Sequence, residues 1–253
     1  MKKLLVRISI TVLVLAIVGL FAMSLFLDSA AKKSIETVGS MLAKVEIRLD
    51  SVSLSLLSGS GKIKGLFVGN PQGFKTPSAI QVGTASLALQ PGSIFGDKVI
   101  VKSVLVQAPE ITFETDLKAN NLSKILANMK TATGEAETTS KTSAQAKANR
   151  KLQVDDFLIS GGKIHVSVTE LGGQSATVAL PEVHLTDLGK GPEGITAAEL
   201  ATRVVQAIEK EAAQASSGAV SDLAKQAPGL TKDLKSATDA VDKLGIGGLQ
   251  KKK

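Results

Sequence analysis

The stretch that decides the fold is Val45-Glu46-Ile47-Arg48-Leu49-Asp50-Ser51-Val52-Ser53-Leu54-Ser55-Leu56, in which apolar and polar residues alternate. Alternation with a period of two, in a run rich in Val, Ile and Leu, is typical of a β-strand with one buried face. Similar runs follow, separated by turns that contain Gly and Pro. The segment from Val45 to Phe113 is therefore predicted to be an antiparallel meander. Its further strands are Ala79–Leu89, Lys98–Val106 and Pro109–Phe113, and its turns are Gly59-Ser60-Gly61, Asn70-Pro71-Gln72-Gly73 and Pro91-Gly92-Ser93.

Some of these runs change face midway. Apolar residues occupy odd positions up to Leu49 and even positions from Val52, and Val82 gives way to Ala85 in the same manner. A phase change of one residue inside a strand is what a β-bulge produces, and a bulge bends and twists the sheet. The alternative is that each run consists of two short strands. Both interpretations predict a strongly curved sheet.

Composition excludes several classes of function. The chain of 253 residues has no Cys, so it holds no disulfide and no thiolate metal site. Trp and Tyr are absent, which disfavours recognition of single-stranded nucleic acid by base stacking. Three basic residues precede the N-terminal apolar run and three lysines end the chain, so that 24 basic residues remain against 23 acidic ones. The body is nearly neutral, and nucleic acid is not expected as a partner.

The N-terminal segment is predicted to anchor the chain in a membrane. Ile8 to Leu27 is a run of twenty residues without a formal charge, which matches the ~20 residues of a transmembrane helix. Lys2, Lys3 and Arg7 precede it, which places the N-terminus in the cytoplasm and the body outside it. The alternative is a signal peptide cleaved near Ser29-Ala30-Ala31. The length of the apolar run favours the uncleaved anchor, residues 1–27.

The next part of the chain is predicted to be a first β-rich block with a helix, residues 28–130. Asn120-Asn121 supplies a helix N-cap, and Leu122, Ile125, Leu126 and Met129 then fall on one helical face. Residues 131–150 contain no large apolar side chain. Such a segment cannot bury enough surface to offset the entropy of ordering, so it is predicted to be a flexible linker.

A second β-rich block with a helix is predicted for residues 151–211. Its strands are Leu152–Ile159, Lys163–Val168 and Ala176–Leu185, with turns at Gly161-Gly162 and Gly172-Gly173. Thr196-Ala197-Ala198-Glu199 has the pattern of a capping box that starts a helix. Residues 212–253 are predicted to form a helical, partly mobile basic tail. The fold class is thus α+β and β-rich: a transmembrane helix, then a curved, mainly antiparallel sheet with amphipathic helices packed on it.

No set of residues has the pattern of a catalytic or metal site. His165 and His184 alternate with apolar residues in predicted strands, where they fit outward-facing polar positions better than metal ligands. Asp155 and Asp156 are adjacent in a strand, so their side chains point to opposite faces, as at a strand edge or bulge. We therefore expect a protein that is not an enzyme, with no catalytic residues, no metal and no cofactor.

What remains as a candidate site is the aliphatic face of the sheet. It is either a core closed by its own helices or an open groove that accepts acyl chains. Physical grounds alone favour the closed core, because apolar surface is normally buried. If the groove is open, its candidate lining residues are Val82, Leu87, Val101, Val104 and Ile111.

The chain resembles the AsmA-like proteins of the Gram-negative envelope, which are relatives of the larger TamB-type and bridge-like lipid-transfer proteins. The resemblance extends over roughly Met1 to Ala212, and the Asn-Pro-x-Gly-Phe stretch is fairly specific in this β context. The residues that carry it follow the N-terminal anchor: Gly61-Lys62-Ile63, Val68-Gly69-Asn70-Pro71-Gln72-Gly73-Phe74, Pro109-Glu110-Ile111-Thr112-Phe113, Asn120-Asn121-Leu122, Leu180-Pro181-Glu182-Val183-His184-Leu185-Thr186-Asp187-Leu188-Gly189 and Gly194-Ile195-Thr196-Ala197-Ala198-Glu199-Leu200.

The resemblance implies a single-pass inner-membrane protein whose periplasmic body forms a taco-like β-groove. It further implies a part in phospholipid transport and outer-membrane homeostasis, with the inner membrane, phospholipid and other envelope proteins as partners. No catalytic residue is implied, and the chain is short for the family. The alternative is an envelope scaffold with a closed β core that binds another envelope protein.

The first prediction concerns membrane topology. A reporter that is active only in the periplasm, fused after Lys253, should be active because the positive charges lie on the short N-terminal side of the anchor. Membrane extraction checks the anchor itself. A mature protein that begins near Lys32 and washes off membranes would show a cleaved signal peptide instead.

Overall fold

A computed structural model describes residues 26–55, 57–116, 118–136, 151–169 and 174–225. These residues are mostly β, with a sheet curled into a half-barrel and three helices. The helices are α1 (26–43), α2 (Asn121–Ala136) and α3 (Ala197–Lys225), and Pro91–Phe95 forms a 3₁₀ turn. The strands are β1 (Ile47–Arg48), β2 (Ser51–Ser55), β3 (Ser60–Gly69), β4 (Ser78–Leu89), β5 (Lys98–Gln107), β6 (Glu110–Thr115), β7 (Lys151–Ser160), β8 (Lys163–Val168), β9 (Gln174–Ala179) and β10 (Val183–Leu188).

The ten strands are segments of six longer ones. β1 and β2 pair with β3 in one continuous register, and β5 and β6 pair in one register with the same edge of β4. The same holds for β7 with β8, and for β9 with β10. The sheet therefore runs in chain order, from the strand at 47–55 at one edge to the strand at 174–188 at the other. The predicted meander from Val45 to Phe113 is confirmed by the antiparallel pairing of its strands.

The two predicted β-rich blocks join in a single sheet through a parallel pair. Lys98 pairs with Lys151 and Glu110 pairs with Lys163, a constant offset of 53 residues. Parallel neighbours need a crossover connection, and the chain between β6 and β7 contains α2. Alternation within each run does not reveal which strands become neighbours, so this parallel junction was not predicted.

One row of residues crosses all six long strands, and the strands bend there. Pairing partners can be followed from strand to strand along this row, which we call the crease. Three of its residues have a left-handed backbone: φ is 62° at Gly65, 46° at Ala108 and 67° at Gly161. The secondary structure is interrupted in four of the six strands at or beside this row. The crease consists of Asp50, Gly65, Gly83, Ala108, Gly161 and Pro181.

Each strand changes its inward-facing phase at the crease. In β4, Val82 is buried before the row, and after it the half-buried Ala85 and Leu87 lie on either side of the exposed Ser86. In the strand of β7 and β8, Ile159 is buried before the row and Ile164 after it. Because all strands change phase together, neighbouring registers stay in step across the crease, and one apolar face continues through it.

The phase changes noted in the sequence are thus aligned structural features. The run from Val45 is divided into the two short strands β1 and β2, whereas β4 is continuous from Ser78 to Leu89 and keeps one register with β3 across its phase change, so the predicted bulge does not occur there. The registers that do shift lie elsewhere, between Val68 and Gly69 and between Ala88 and Leu89.

Helices α2 and α3 pack on one face of the sheet, which we call the inner face. The predicted stripe of α2 is confirmed, because Leu122, Ile125, Leu126 and Met129 are all buried. Both predicted caps form: Asn120 Oδ1 accepts from the Ser123 N–H, and Thr196 and Glu199 exchange backbone-to-side-chain hydrogen bonds. α3 continues to Lys225, well beyond residue 211. The α2 helix continues to Ala136, and residues 137–150 of the predicted linker lie outside the described part.

Helix α1 seals the first edge of the sheet. Side chains spaced four residues apart on α1 bond the outer backbone groups of the strand at 47–55. Asp28, Glu36 and Ser40 accept from backbone N–H groups at 2.8 to 2.9 Å, and Lys32 donates to a carbonyl at 3.2 Å. Asp28 bonds Leu54, Lys32 bonds Asp50, Glu36 bonds Leu49 and Ser40 bonds Ile47, so the helix and the strand run in opposite directions. An exposed edge strand invites pairing with other chains, and this stripe blocks it.

Among the residues described, no helix is both long and apolar enough to cross a bilayer. The predicted span Ile8–Leu27 falls almost wholly on residues 1–25, outside the described part, so the anchor stays a prediction. The predicted basic tail likewise lies outside it beyond residue 225.

Three glycines of the crease give a graded test of its backbone. Gly83→Ala should change the free energy of unfolding by no more than about 0.5 kcal/mol, because its φ is ordinary and a methyl group meets open space. Gly161→Ala also meets open space but has a left-handed φ, so it should cost about 1–2 kcal/mol. Gly65→Ala should cost more still, since its Cβ would also lie 1.9 Å from Asp50 Oδ2.

Thermal or urea unfolding of the full chain in mild detergent measures the three variants. Equal losses at Gly83 and Gly161 would show that the left-handed backbone of the crease does not matter for stability.

Candidate functional site

The inner face divides into a covered face and an open face. α2 and α3 make their main contacts with β6, β8, β9 and β10, where the core is dense. Among the residues described, the inner side chains of β2 to β5 beyond the crease are half-buried, except for Val52 and Val106, which are buried. Two cross-strand rows form most of this region: Leu54, Gly61, Leu87 and Val104 are successive partners, as are Val52, Ile63, Ala85 and Val106. We define the open face by its half-buried members, Leu54, Ile63, Ala85, Leu87, Val101 and Val104.

The five predicted groove residues lie on both parts of the inner face. Leu87 and Val104 are direct cross-strand partners on the open face, and Val101 pairs with Leu89 nearby. Val82 and Ile111 belong to the covered face, where they are 6% and 0% exposed and share the core with residues of α2. Among the described residues, the structure thus places three of the five at half-buried positions of the inner face. Contact with a ligand stays a prediction for all five.

The open face offers apolar contact and little polar chemistry. Its side chains are aliphatic, and the residues between them on the same strands, such as Ser53, Lys62 and Ser86, are exposed on the opposite side. An open cleft of about 430 Å³ lies where α1 begins, and most of its lining residues belong to the outer side of the sheet, not to the open face. The cleft is lined by Asp28, Ser53, Leu54, Ser55, Ser60, Gly61, Lys62, Ser86 and Leu87.

The opposite end of the sheet is held by a buried carboxylate. Glu114 is 1% exposed, and its two oxygens accept four hydrogen bonds. Two donors are the backbone N–H groups of Lys75 and Thr76, at 2.7 and 2.8 Å, and two are the hydroxyls of Thr76 and Thr169. Burial by itself raises the pKa of Glu114, but these hydrogen bonds outweigh it and hold the pKa below its ordinary value.

The same network anchors the turn that carries the Asn-Pro-x-Gly-Phe stretch. Asn121 is fully buried, and its side chain donates to Asn70 Oδ1 at 2.7 Å and to the Thr112 carbonyl at 2.8 Å. Asn70 in turn donates to the carbonyl and the hydroxyl of Thr76. The start of α2, the end of β6 and the turn after β3 are therefore one hydrogen-bonded unit. Sequence reasoning noted Asn70 and Asn121 as a turn and a cap but missed Glu114.

The His and Asp residues weighed as ligands are separated in the structure. His165 contacts the Thr177 hydroxyl at 3.0 Å, whereas His184 Nε2 lies 2.6 Å from Asp156 Oδ1. Asp155 instead accepts from Lys102 at 2.9 Å. Within the part of the chain that the structure describes, no group of His, Asp or Glu side chains could hold a metal ion. Asp155 and Asp156 thus bind different partners, as expected of neighbours in a strand.

A model of a known protein family matches most of the chain. The family model of the AsmA family matches residues 1–233, which include the meander, the Asn-Pro-x-Gly-Phe turn and the second block. The chain belongs to the AsmA family. The resemblance noted in the sequence is thereby confirmed, and AsmA membership is compatible with a role in the envelope. A search of curated proteins finds no match for the chain.

The hydrogen bonds to Glu114 give a testable pH dependence in this AsmA protein. A carboxyl whose folded pKa is depressed contributes stability above its unfolded pKa, near 4.5, and loses it as the pH falls through the lower folded value. Glu114→Gln replaces one carboxylate oxygen by an NH₂ group, which cannot accept a hydrogen bond from the donors around it. The substitution should lower the free energy of unfolding by roughly 1–3 kcal/mol at neutral pH.

Urea unfolding at a series of pH values checks this prediction, with Glu110→Gln as the matched control because Glu110 is exposed on the same strand. The loss of stability below pH 4.5 should be reduced in Glu114→Gln and unchanged in Glu110→Gln. Identical pH profiles in all three proteins would contradict the role assigned to Glu114.

Proposed function

We propose that this AsmA-family protein is a membrane-anchored, periplasmic, non-enzymatic protein whose open face binds phospholipid acyl chains and so assists phospholipid transport and outer-membrane homeostasis. The single observation that carries the proposal is the half-buried aliphatic surface from Leu54 to Val104 in an otherwise well-covered sheet. Contiguous apolar surface that a protein leaves partly accessible is a marker of interaction sites.

The chemistry of the open face fits a hydrocarbon chain. Its two cross-strand rows present Leu, Ile, Val and Ala side chains on neighbouring strands, about 4.8 Å apart in a β-sheet. Contacts of this kind give a non-directional gain of roughly 25 cal/mol for each Å² of apolar area removed from water. An acyl chain supplies such area without needing hydrogen-bond partners. The acyl chain would lie against the inner face of the curled sheet.

The rival function is an envelope scaffold. The covered face supports it, because Val82, Ile111 and the buried face of α2 already form a closed core. On that hypothesis the open face is where another envelope protein docks. The two hypotheses predict different co-purifying molecules: phospholipid for the first and a protein partner for the second.

Aspartate substitutions separate these functions. Leu87→Asp and Val104→Asp should abolish co-purifying phospholipid in mildly extracted protein and lower the melting temperature only slightly, since both positions are half-exposed. The matched control Ser86→Asp adds the same charge to the opposite, exposed side of β4 and should retain lipid. Ile111→Asp places an unpaired charge in the dense core and should cost roughly 3–5 kcal/mol.

Lipid analysis and thermal unfolding of the same variants distinguish the two functions. Lipid lost in the two open-face variants but kept in Ser86→Asp supports the groove. A parent protein without phospholipid, with every inner-face variant collapsing including Val82→Asp and Val101→Asp, would leave the scaffold function.

A further inference from the structure

Exposed apolar side chains gather at the end of the sheet where α1 begins. We call this end the tip and define it by Phe26, the turn at 57–59 and the 3₁₀ turn Pro91–Phe95. Phe26 is 72% exposed and Leu57 is 89% exposed, the two highest values among the exposed large apolar residues of the described part. Isolated apolar residues on a surface need no explanation, but neighbouring ones at one end of a molecule do.

The three parts of the tip are neighbours in space. Asp28, two residues after Phe26, accepts from the Leu54 N–H at 2.8 Å, which fixes the start of α1 beside the end of β2. The Gly59 carbonyl accepts from the Leu89 N–H, and a Cβ on Gly59 would lie 3.0 Å from Pro91 Cγ. The turn at 57–59 therefore lies between the start of α1 and the 3₁₀ turn.

The sequence places a bilayer next to this end. The uncharged run Ile8–Leu27 ends at the first described residues of α1, so a membrane that it crosses lies beside Phe26. α1 then leads away from the tip along the sheet edge, as far as Ser40, which bonds the Ile47 N–H. At 1.5 Å per residue, Met41 lies about 22 Å along the helix from Phe26.

Polar groups around the tip suit the boundary between headgroups and hydrocarbon. Lys33 is exposed two helical turns from Phe26, and Lys62 is exposed two residues from the start of β3. Serine hydroxyls line the cleft beside Asp28. Surfaces that combine apolar side chains with lysines bind in the interface of anionic bilayers. This combination occurs at the end of the sheet where the open face also begins, with Leu54 three residues from Leu57.

We infer that the tip lies in the interface of the bilayer, with Leu57 and Phe26 inserted among the lipids, so that the open face starts at the membrane surface. This inference rests on the anchor in the proposed function and adds the orientation of the body. The partner is a phospholipid surface that contains anionic lipid. The opposite end, with the Glu114 network, then points away from the membrane.

Site-specific fluorescence tests the orientation, and the chain contains no Cys that would interfere. Leu57→Cys is labelled with an environment-sensitive fluorophore in the full chain and reconstituted in vesicles of phosphatidylethanolamine and phosphatidylglycerol. The matched control is Met41→Cys, because Met41 is 65% exposed on the same protein but far along α1. The readouts are quenching by spin-labelled lipid and quenching by aqueous iodide.

At position 57 we expect strong quenching by the spin-labelled lipid and iodide quenching that is about threefold or more weaker than at position 41. The measurement is repeated in a protein that also carries Leu87→Asp, which should not hold lipid on the open face. The strong quenching by spin-labelled lipid at position 57 should persist in that protein. Equal iodide access at both positions, in protein that floats with the vesicles, overturns the orientation but leaves the anchor intact. Protein that does not float with the vesicles overturns both the orientation and the anchor.

Discussion

All six long strands change their inward-facing residues from one parity to the other at the same row, the crease, and the single apolar inner face depends on this alignment. Backbone hydrogen bonding holds neighbours in step on both sides of the crease, from Asp50 at one edge to Pro181 at the other. If one strand kept its phase while its neighbours changed, its apolar side chains would turn to the outer face beyond that point. Gly65, Gly161 and, despite its side chain, Ala108 make this change with a left-handed backbone, whereas Asp50, Gly83 and Pro181 make it without one.

This constraint explains how one short sheet carries two surfaces with different properties. On one side of the crease, α2 and α3 cover the apolar rows, and the Glu114 network ties the turn after β3 to the start of α2. On the other side β7 and β10 are still buried, whereas the same apolar face continues through β2 to β5 with most of its side chains only half-buried. We therefore expect substitutions at the half-buried positions of the open face to affect the fold less than substitutions at the fully buried core positions.

Local patterns in the sequence predicted local structure well. Period-two alternation located the strands from Val45 to Phe113, and Asn120 and Thr196 marked the helix starts that the structure contains. The phase changes were also visible, because they appear in the order of apolar residues. Their alignment was not, since it depends on which strands become neighbours and in which register. The parallel pair of β5 and β7 and the burial of Glu114 are long-range features of the same kind, because the partners of Glu114 lie 38 and 55 residues away in the chain.

The two edges of the sheet are unequal, and this sets a direction for any enlargement of the sheet. The strand at 47–55 has its outer backbone groups occupied by four side chains of α1, whereas the strand at 174–188 pairs with β7 and β8 on one side and with no strand on the other among the described residues. A duplicated segment, a strand from another protein or a designed extension would therefore add to the edge formed by β9 and β10. Growth there would lengthen the inner face row by row, because each new strand would inherit the crease from its neighbour.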